Sequence, residues 1–137
     1  MILMSSMFSL EWFEELKNSM NDNSDFQKAS SDWDDDLALR IIGDDNSSIL
    51  KKGKRIEIIL KLIHGKCFSI IYSPRNGIRN DGYILEGEAT VWEMIFSGDA
   101  DIIPCIFNGA IRTSGNTAKL MKYTSLLTEM ANSAKRI

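Results

Sequence analysis

Three glycines divide residues 98–115 into short segments, and their spacing constrains the fold more than any other feature of the chain. Gly98 predicts the end of a preceding helix, because glycine adopts the left-handed backbone of a helix C-terminus at little cost. Asp101 is placed to cap a second, short helix that ends at Gly109. The alternating residues that follow predict a strand, and Gly115 predicts a further turn.

The elements around this stretch follow from hydrophobic periodicity and from turn residues. Ser9 is expected to cap the first helix, Gly65 and Lys66 to form a hairpin turn, and Thr90 to cap a later helix. We predict helices over residues 10 to about 20, 91–97 and 117 to about 135, and strands over residues 37–42, 55–64, 67–72 and 83–88. This order indicates a single α+β domain over residues 1–137, with an essentially antiparallel sheet covered by helices and with residues 1–8 frayed.

The glycine framework and the order of elements together resemble the sterol carrier protein 2 family. The positions at the family's spacing are Gly98, Asp101, Gly109, Ile111, Thr113 and Gly115. The resemblance extends over residues 12 to about 130. The chain departs from the family where Ile102 follows the capping Asp instead of Pro, and where Cys105 replaces a small Ala.

The resemblance implies a five-stranded, mostly antiparallel sheet covered by helices, with an apolar tunnel between the layers. It also implies intracellular lipid binding or transfer, with a sterol-like, fatty acyl, acyl-CoA or isoprenoid ligand. The alternative is a non-catalytic accessory or scaffold protein that presents a lipid intermediate to partner enzymes. A further alternative is a domain whose cavity is filled by side chains and that serves in dimerisation.

The helix over residues 91–97 and the helix that follows Gly98 carry more apolar surface than one sheet contact can hide. We therefore expect the tunnel beside them, with the final helix as a movable wall. The expected wall residues are Phe68, Ile70, Trp92, Ile95, Phe96, Ile102, Ile106, Phe107, Leu120 and Leu127. Ordinary core packing is the alternative explanation for each of them.

Charge and composition exclude several classes of function. A net charge of −3 argues against nucleic-acid binding through a basic patch. The absence of a long apolar run and of a signal peptide indicates a cytoplasmic protein without stable membrane insertion. Cys67 and Cys105 lack metal-ligand spacing and are expected to be free, buried thiols in a reducing compartment.

Catalytic and metal sites receive little support from the sequence. His64 and Cys67 flank a hairpin turn and are the candidate pair for an ester or thioester hydrolase, although an exposed histidine and a core thiol explain them better. The acidic run of residues 32–36 lacks the layout of a calcium loop, so we expect no metal and no cofactor. Arg75 and Arg79 lie in a loop that could meet an acidic head group. The chain is therefore expected to bind its ligand without acting as an enzyme.

Overall fold

The structure is a computed structural model that describes residues 6–75, 77–78 and 82–137. Its helices are α1 (Leu10–Asp22), α2 (Ser24–Ala29), α3 (Ala89–Ser97), α4 (Ile102–Phe107), α5 (Thr117–Leu120) and α6 (Thr124–Ala134). Its strands are β1 (Leu37–Ile42), β2 (Arg55–Ile63), β3 (Lys66–Tyr72), β4 (Tyr83–Glu88) and β5 (Ile111–Ser114). None of these helices is long and apolar enough to cross a membrane.

The five strands form one sheet in the order β3-β2-β1-β4-β5. All neighbouring pairs are antiparallel except β1 and β4, which are parallel. The α+β architecture with a mostly antiparallel sheet is thus confirmed. The predicted hairpin tip is wrong by one residue, because His64 and Gly65 both have positive φ, 44° and 87°, and form the turn between β2 and β3.

The two faces of the sheet differ in chemistry. The face that packs against the helices carries buried aliphatic residues, including Leu39, Ile58 and Leu85. The opposite face carries a row of alternating charge across four strands, in which Glu57, Arg40, Glu86 and Arg112 lie side by side.

This charged row is held by ion pairs between neighbouring strands. Arg40 Nη1 donates to Glu86 Oε1 at 3.0 Å, and Arg40 Nε lies 3.5 Å from Glu57 Oε1. Arg112 also pairs with Glu86. The hydrogen bond from Arg40, together with the charges of both arginines, lowers the pKa of the Glu86 carboxyl. These ion pairs link four strands across this face of the sheet, and the apolar interior lies on the other face.

The helices form one layer on the apolar face. α1 packs against β3, α3 against β1 and β4, and α4 against β5. α6 contacts α1, α2, α3 and α4, so it lies at the centre of the layer. The hydrophobic core therefore lies between this layer and the sheet.

Local signals were sufficient for the cap of α1 but not for that of α3. Ser9 Oγ accepts from the Trp12 amide at 3.1 Å, which confirms the predicted N-cap of α1. The predicted start of α3 is wrong, because the helix begins at Ala89 and not after Thr90. Its first turn is capped from a distant loop, where the Asp44 carboxylate accepts from both the amide and the hydroxyl of Thr90.

The final helix is not continuous as predicted. α5 ends at Leu120, a 3-10 turn covers Met121–Tyr123, and α6 begins at Thr124. The interruption lies at Tyr123, whose φ of −115° and ψ of 35° are not helical. Asn116 Oδ1 accepts from the Lys119 amide at 3.0 Å and caps α5.

Residues 1–5 lie outside the described part of the chain, so the expected fraying of residues 1–8 concerns only residues 6–8 here. Phe8 differs from that expectation, because its side chain is 1% exposed. Its ring lies 6.3 Å from that of Trp12 and 6.4 Å from that of Phe96. Its carbonyl accepts from the Tyr72 hydroxyl at 2.8 Å. Phe8 therefore belongs to the core.

Candidate functional site

Most of the predicted wall residues lie in the interior between the helical layer and the sheet. Six of the ten are at most 2% exposed and lie in one hydrophobic cluster: Trp92, Ile95, Phe96, Ile102, Leu120 and Leu127. They come from α3, α4, α5 and α6, so four helices converge on this space. Ile70 and Ile106 are half-buried and pack against the same cluster. The interior is thus an apolar region with walls on both layers.

Aromatic rings fill one end of this interior. The Phe96 ring is stacked on Trp92 at 5.3 Å between centroids and meets Trp12 at 5.1 Å. The indole N–H of Trp92 donates to the Arg40 carbonyl at 3.2 Å, which satisfies its polar group in the core. The rings hold one another in place, so this end is packed by side chains.

Phe68 lies apart from the other predicted wall residues. A β-bulge interrupts the pairing of β2 with β3, so that Lys61 pairs with Ser69 but Leu62 pairs with Cys67. Phe68 is the extra residue, and it is 52% exposed while Cys67 is fully buried. Phe68 therefore does not share the buried face of Ile70, because strict alternation does not continue through the bulge.

Phe107 also lies apart from the cluster and is 76% exposed. α4 buries Ile102 and Cys105. Five residues after Ile102 a helix has turned by about 140°, so Phe107 lies on the side of α4 that faces away from the core. The structure thus leaves Phe107 at the outer surface of the helix that carries Ile102 and Ile106.

Sequence reasoning missed a second aromatic cluster at the other end of the interior. The Trp33 ring is 1% exposed and lies 4.9 Å from the Tyr83 ring and 4.8 Å from the Tyr123 ring. Lys119 Nζ lies 5.2 Å from the Trp33 centroid and donates to Asp35 Oδ2 at 2.7 Å. These residues are far apart in sequence, so no local pattern could have joined them.

Comparison with known proteins identifies the fold. No family model and no curated protein matches the sequence. A crystal structure of sterol carrier protein 2 superposes with a TM-score of 0.82 and 22% identity, over 96% of this chain and 99% of that one. The chain has the sterol carrier protein 2 fold.

Two further structures agree with this assignment. The solution structure of a conserved hypothetical protein from Thermus thermophilus matches with a TM-score of 0.79 and 22% identity, over 96% of this chain and 89% of that one. The ligand-free sterol carrier protein 2 of Yarrowia lipolytica matches with a TM-score of 0.60 and 14% identity, over the full length of both chains.

Within this sterol carrier fold, His64 and Cys67 do not form a nucleophile and base. Cys67 is fully buried, and burial raises the pKa of its thiol to about 12, so it is not a thiolate at neutral pH. The His64 side chain is exposed, and its Nδ1 lies 3.4 Å from the Ser31 carbonyl oxygen. The preferred interpretation of an exposed turn histidine and a core thiol is confirmed.

The acidic run of residues 32–36, which precedes β1, contributes carboxylates to ion pairs. Asp35 pairs with Lys119, and Asp36 Oδ2 accepts from Lys61 Nζ at 2.7 Å. Among the described residues, no group of three acidic, cysteine or histidine side chains is arranged to hold a metal ion.

Three surface depressions are lined mostly by polar and charged residues and contain none of the expected wall residues. They measure about 440, 410 and 280 Å³. The first lies between α1 and the chain end at Arg136 and Ile137, and the second surrounds His64. The third includes Arg75, whereas Arg79 lies outside the described residues. The apolar interior is the candidate site because most of the expected wall residues lie in it.

Proposed function

We propose that this protein binds a lipid, with the alkyl part of the ligand held between the helical layer and the apolar face of the sheet. The observation that carries the proposal is the convergence of apolar residues from four helices on one interior in a sterol carrier fold. Moving alkyl surface from water into such an interior is favourable by about 0.8 kcal/mol per methylene before the costs of binding. The ligand classes that fit this chemistry are fatty acyl chains, acyl-CoA, sterols and isoprenoids.

The arrangement of the walls supports entry at the end opposite the Phe96 rings. At the Phe96 end the rings pack against one another, so a ligand would have to displace several aromatic side chains. The other end holds the Trp33 cluster and Leu120, and Leu120 is carried by the separate short helix α5. A movement of α5 would exchange Leu120 for a ligand chain while the Phe96 rings stay in place. We therefore propose an apolar tunnel beside Ile102, Ile106, Leu120 and Leu127.

Binding without catalysis is part of the proposal. The buried, protonated Cys67 supports it, since this thiol cannot act as the nucleophile of a hydrolase.

Native mass spectrometry of the freshly purified protein tests the proposal directly. We expect an added mass that organic extraction releases as a lipid. If the protein carries no added mass, incubation with fatty acids, acyl-CoAs and isoprenoids should produce one. A protein that stays bare under all these conditions would refute lipid binding and favour a domain whose cavity is filled by side chains and that serves in dimerisation.

Substitution of Ile106 by tryptophan tests the position of the ligand. Ile106 packs against the edge of the cluster, so a larger ring should enter the interior and reduce uptake of a fluorescent fatty acid at least about tenfold. The matched control is Phe107→Trp, which places the same side chain at the exposed neighbouring position. Equal binding by both variants would contradict the proposed tunnel, provided that circular dichroism shows both to be folded.

A further inference from the structure

The cluster around Trp33 lies at the boundary between the core and solvent. Trp33 and Leu120 belong to the buried core, whereas the side chains of Lys119 and Asp35 are each 39% exposed. Lys119 and Leu120 are adjacent in α5, so a charged group and a wall residue of the interior lie side by side. An amphiphile with its chain beside Leu120 would bring its head group to this cluster.

The Lys119 ammonium is held by contacts that a ligand can replace in part. Its hydrogen bond to the Asp35 carboxylate raises the pKa of Lys119, so the side chain remains a cation. Tyr83 lies 5.8 Å from Nζ and, with Trp33, provides aromatic faces that attract a cation whether or not Asp35 is present. Since the ion pair is reached by solvent, another anion can compete with Asp35 for the ammonium.

We propose that Lys119 exchanges Asp35 for the negatively charged head group of the ligand, so that the domain prefers anionic amphiphiles to neutral ones of equal chain length. Here the ammonium pairs with a carboxylate or phosphate oxygen while the chain occupies the interior. This inference rests on the proposed lipid binding and names its ligand class. Lys119 acts as the residue that determines head-group specificity.

The position of α5 supports this exchange. The helix is only four residues long, and it lies between the Asn116 cap and the 3-10 turn of Met121–Tyr123. A small displacement of α5 therefore moves Lys119 away from Asp35 and Leu120 out of the core in one step. Admission of the chain and pairing of the head group are coupled by this shared helix.

The test compares ten-carbon probes that differ only in head group, namely decanoate, decanol and decyltrimethylammonium. Affinities are measured by displacement of a neutral fluorescent lipid, at a pH where decanoate is ionised. Removing the competing carboxylate with Asp35→Asn should strengthen decanoate binding about two- to fivefold and leave decanol unchanged. Lys119→Met should weaken decanoate binding by a similar factor, and Lys119→Arg should restore it.

Lys122→Met is the matched control, because it removes an exposed lysine three residues away in the same segment. It should leave all three affinities unchanged. If decanol binds but neither Asp35→Asn nor Lys119→Met changes the affinity for decanoate, the head-group assignment is wrong. The proposed function then remains intact. A gain in decyltrimethylammonium affinity in Lys119→Met would overturn it in favour of a cation site formed by the aromatic rings. If neither the fluorescent lipid nor any of the probes binds the unmodified protein, both proposals fail.

Discussion

At the scale of single residues, Asp44 shows how one side chain joins two distant parts of the chain. Its Oδ2 accepts from the Thr90 amide at 2.9 Å, and its Oδ1 accepts from the Thr90 hydroxyl at 2.6 Å. Glu88, which occupies the N-cap position of α3, makes no side-chain capping bond. Asp44 therefore replaces the local cap, and it positions the helix that carries Trp92 and Phe96.

Replacing Asp44 by alanine should lower the free energy of unfolding by about 1 to 2 kcal/mol, the usual cost of losing a helix N-cap. Urea titration of both proteins measures this difference. The control is Asp45→Ala, since the neighbouring carboxylate is exposed and lies 3.9 Å from Lys52. That variant should change the free energy by less than about 0.5 kcal/mol. A similar cost for both substitutions would contradict the capping role.

The contribution of Asp44 should also depend on pH. Its hydrogen bonds, chiefly those from Thr90, lower its pKa from the ordinary value of 3.8. A carboxyl whose pKa is lowered in the folded state stabilises the protein above the unfolded value and loses that effect as the pH falls through the folded value. The stability difference between the unmodified protein and Asp44→Asn should therefore be largest near neutral pH and shrink below about pH 4. A stability difference that stays constant down to about pH 2 would show that the charge of Asp44 does not contribute to stability.

At the scale of the elements, the glycine framework was the most informative part of the sequence. Gly98, Gly109 and Gly115 all have positive φ, as the predicted turns require. The two later glycines differ in their surroundings. A Cβ on Gly115 would lie 2.8 Å from the Gly82 carbonyl oxygen, whereas a Cβ on Gly109 would meet nothing within 4 Å.

Alanine substitutions at Gly109 and Gly115 distinguish the energetic cost of a positive φ from that of a steric conflict. Gly109→Ala should cost about 1 kcal/mol in unfolding free energy, because alanine is disfavoured at positive φ. Gly115→Ala should cost more than about 2 kcal/mol, because the backbone around Gly82 must also move away. Thermal unfolding of the two variants provides the comparison. An equal loss of stability in both variants would mean that the close approach of the Gly82 carbonyl to residue 115 adds nothing to the cost.

Two irregularities, one in a strand and one in a helix, could not be predicted from local sequence patterns. The bulge in β3 changes which side of the sheet its residues face, and nothing in the sequence around Phe68 marks it. The break in the final helix occurs without glycine or proline, in the segment where Lys119 meets Trp33 and Tyr83. In both places contacts with other parts of the chain override the local periodicity.

At the scale of the whole molecule, we propose that the chain is a single domain in which both layers share one core. The three tryptophans report on different parts of it, since Trp12 lies in α1, Trp33 precedes β1 and Trp92 lies in α3. All three are at most 4% exposed. Urea unfolding followed by tryptophan fluorescence and by far-ultraviolet circular dichroism should therefore give coincident transitions. Two separate transitions would show that the helical layer and the sheet unfold independently.

The sequence by itself determined the order of the strands and of most helices, the glycine turns and several of the buried residues. These features depend on neighbours within a few positions, because periodicity and turn preference are local properties of the chain. The bounds of β1 and β4 and the N-cap of α1 were accordingly predicted correctly. Six of the ten expected wall residues are fully buried for the same reason, since they lie on the apolar sides of their helices.

Only the tertiary structure decided the features that join distant residues. The parallel pairing of β1 with β4, the capping of α3 by Asp44 and the cluster of Trp33, Tyr83 and Lys119 each join segments that are far apart in the sequence. Such contacts depend on the direction of each strand within the sheet and on how the helices pack against the sheet. Hydrophobic spacing specifies which side of an element is buried, and packing in three dimensions selects what it is buried against.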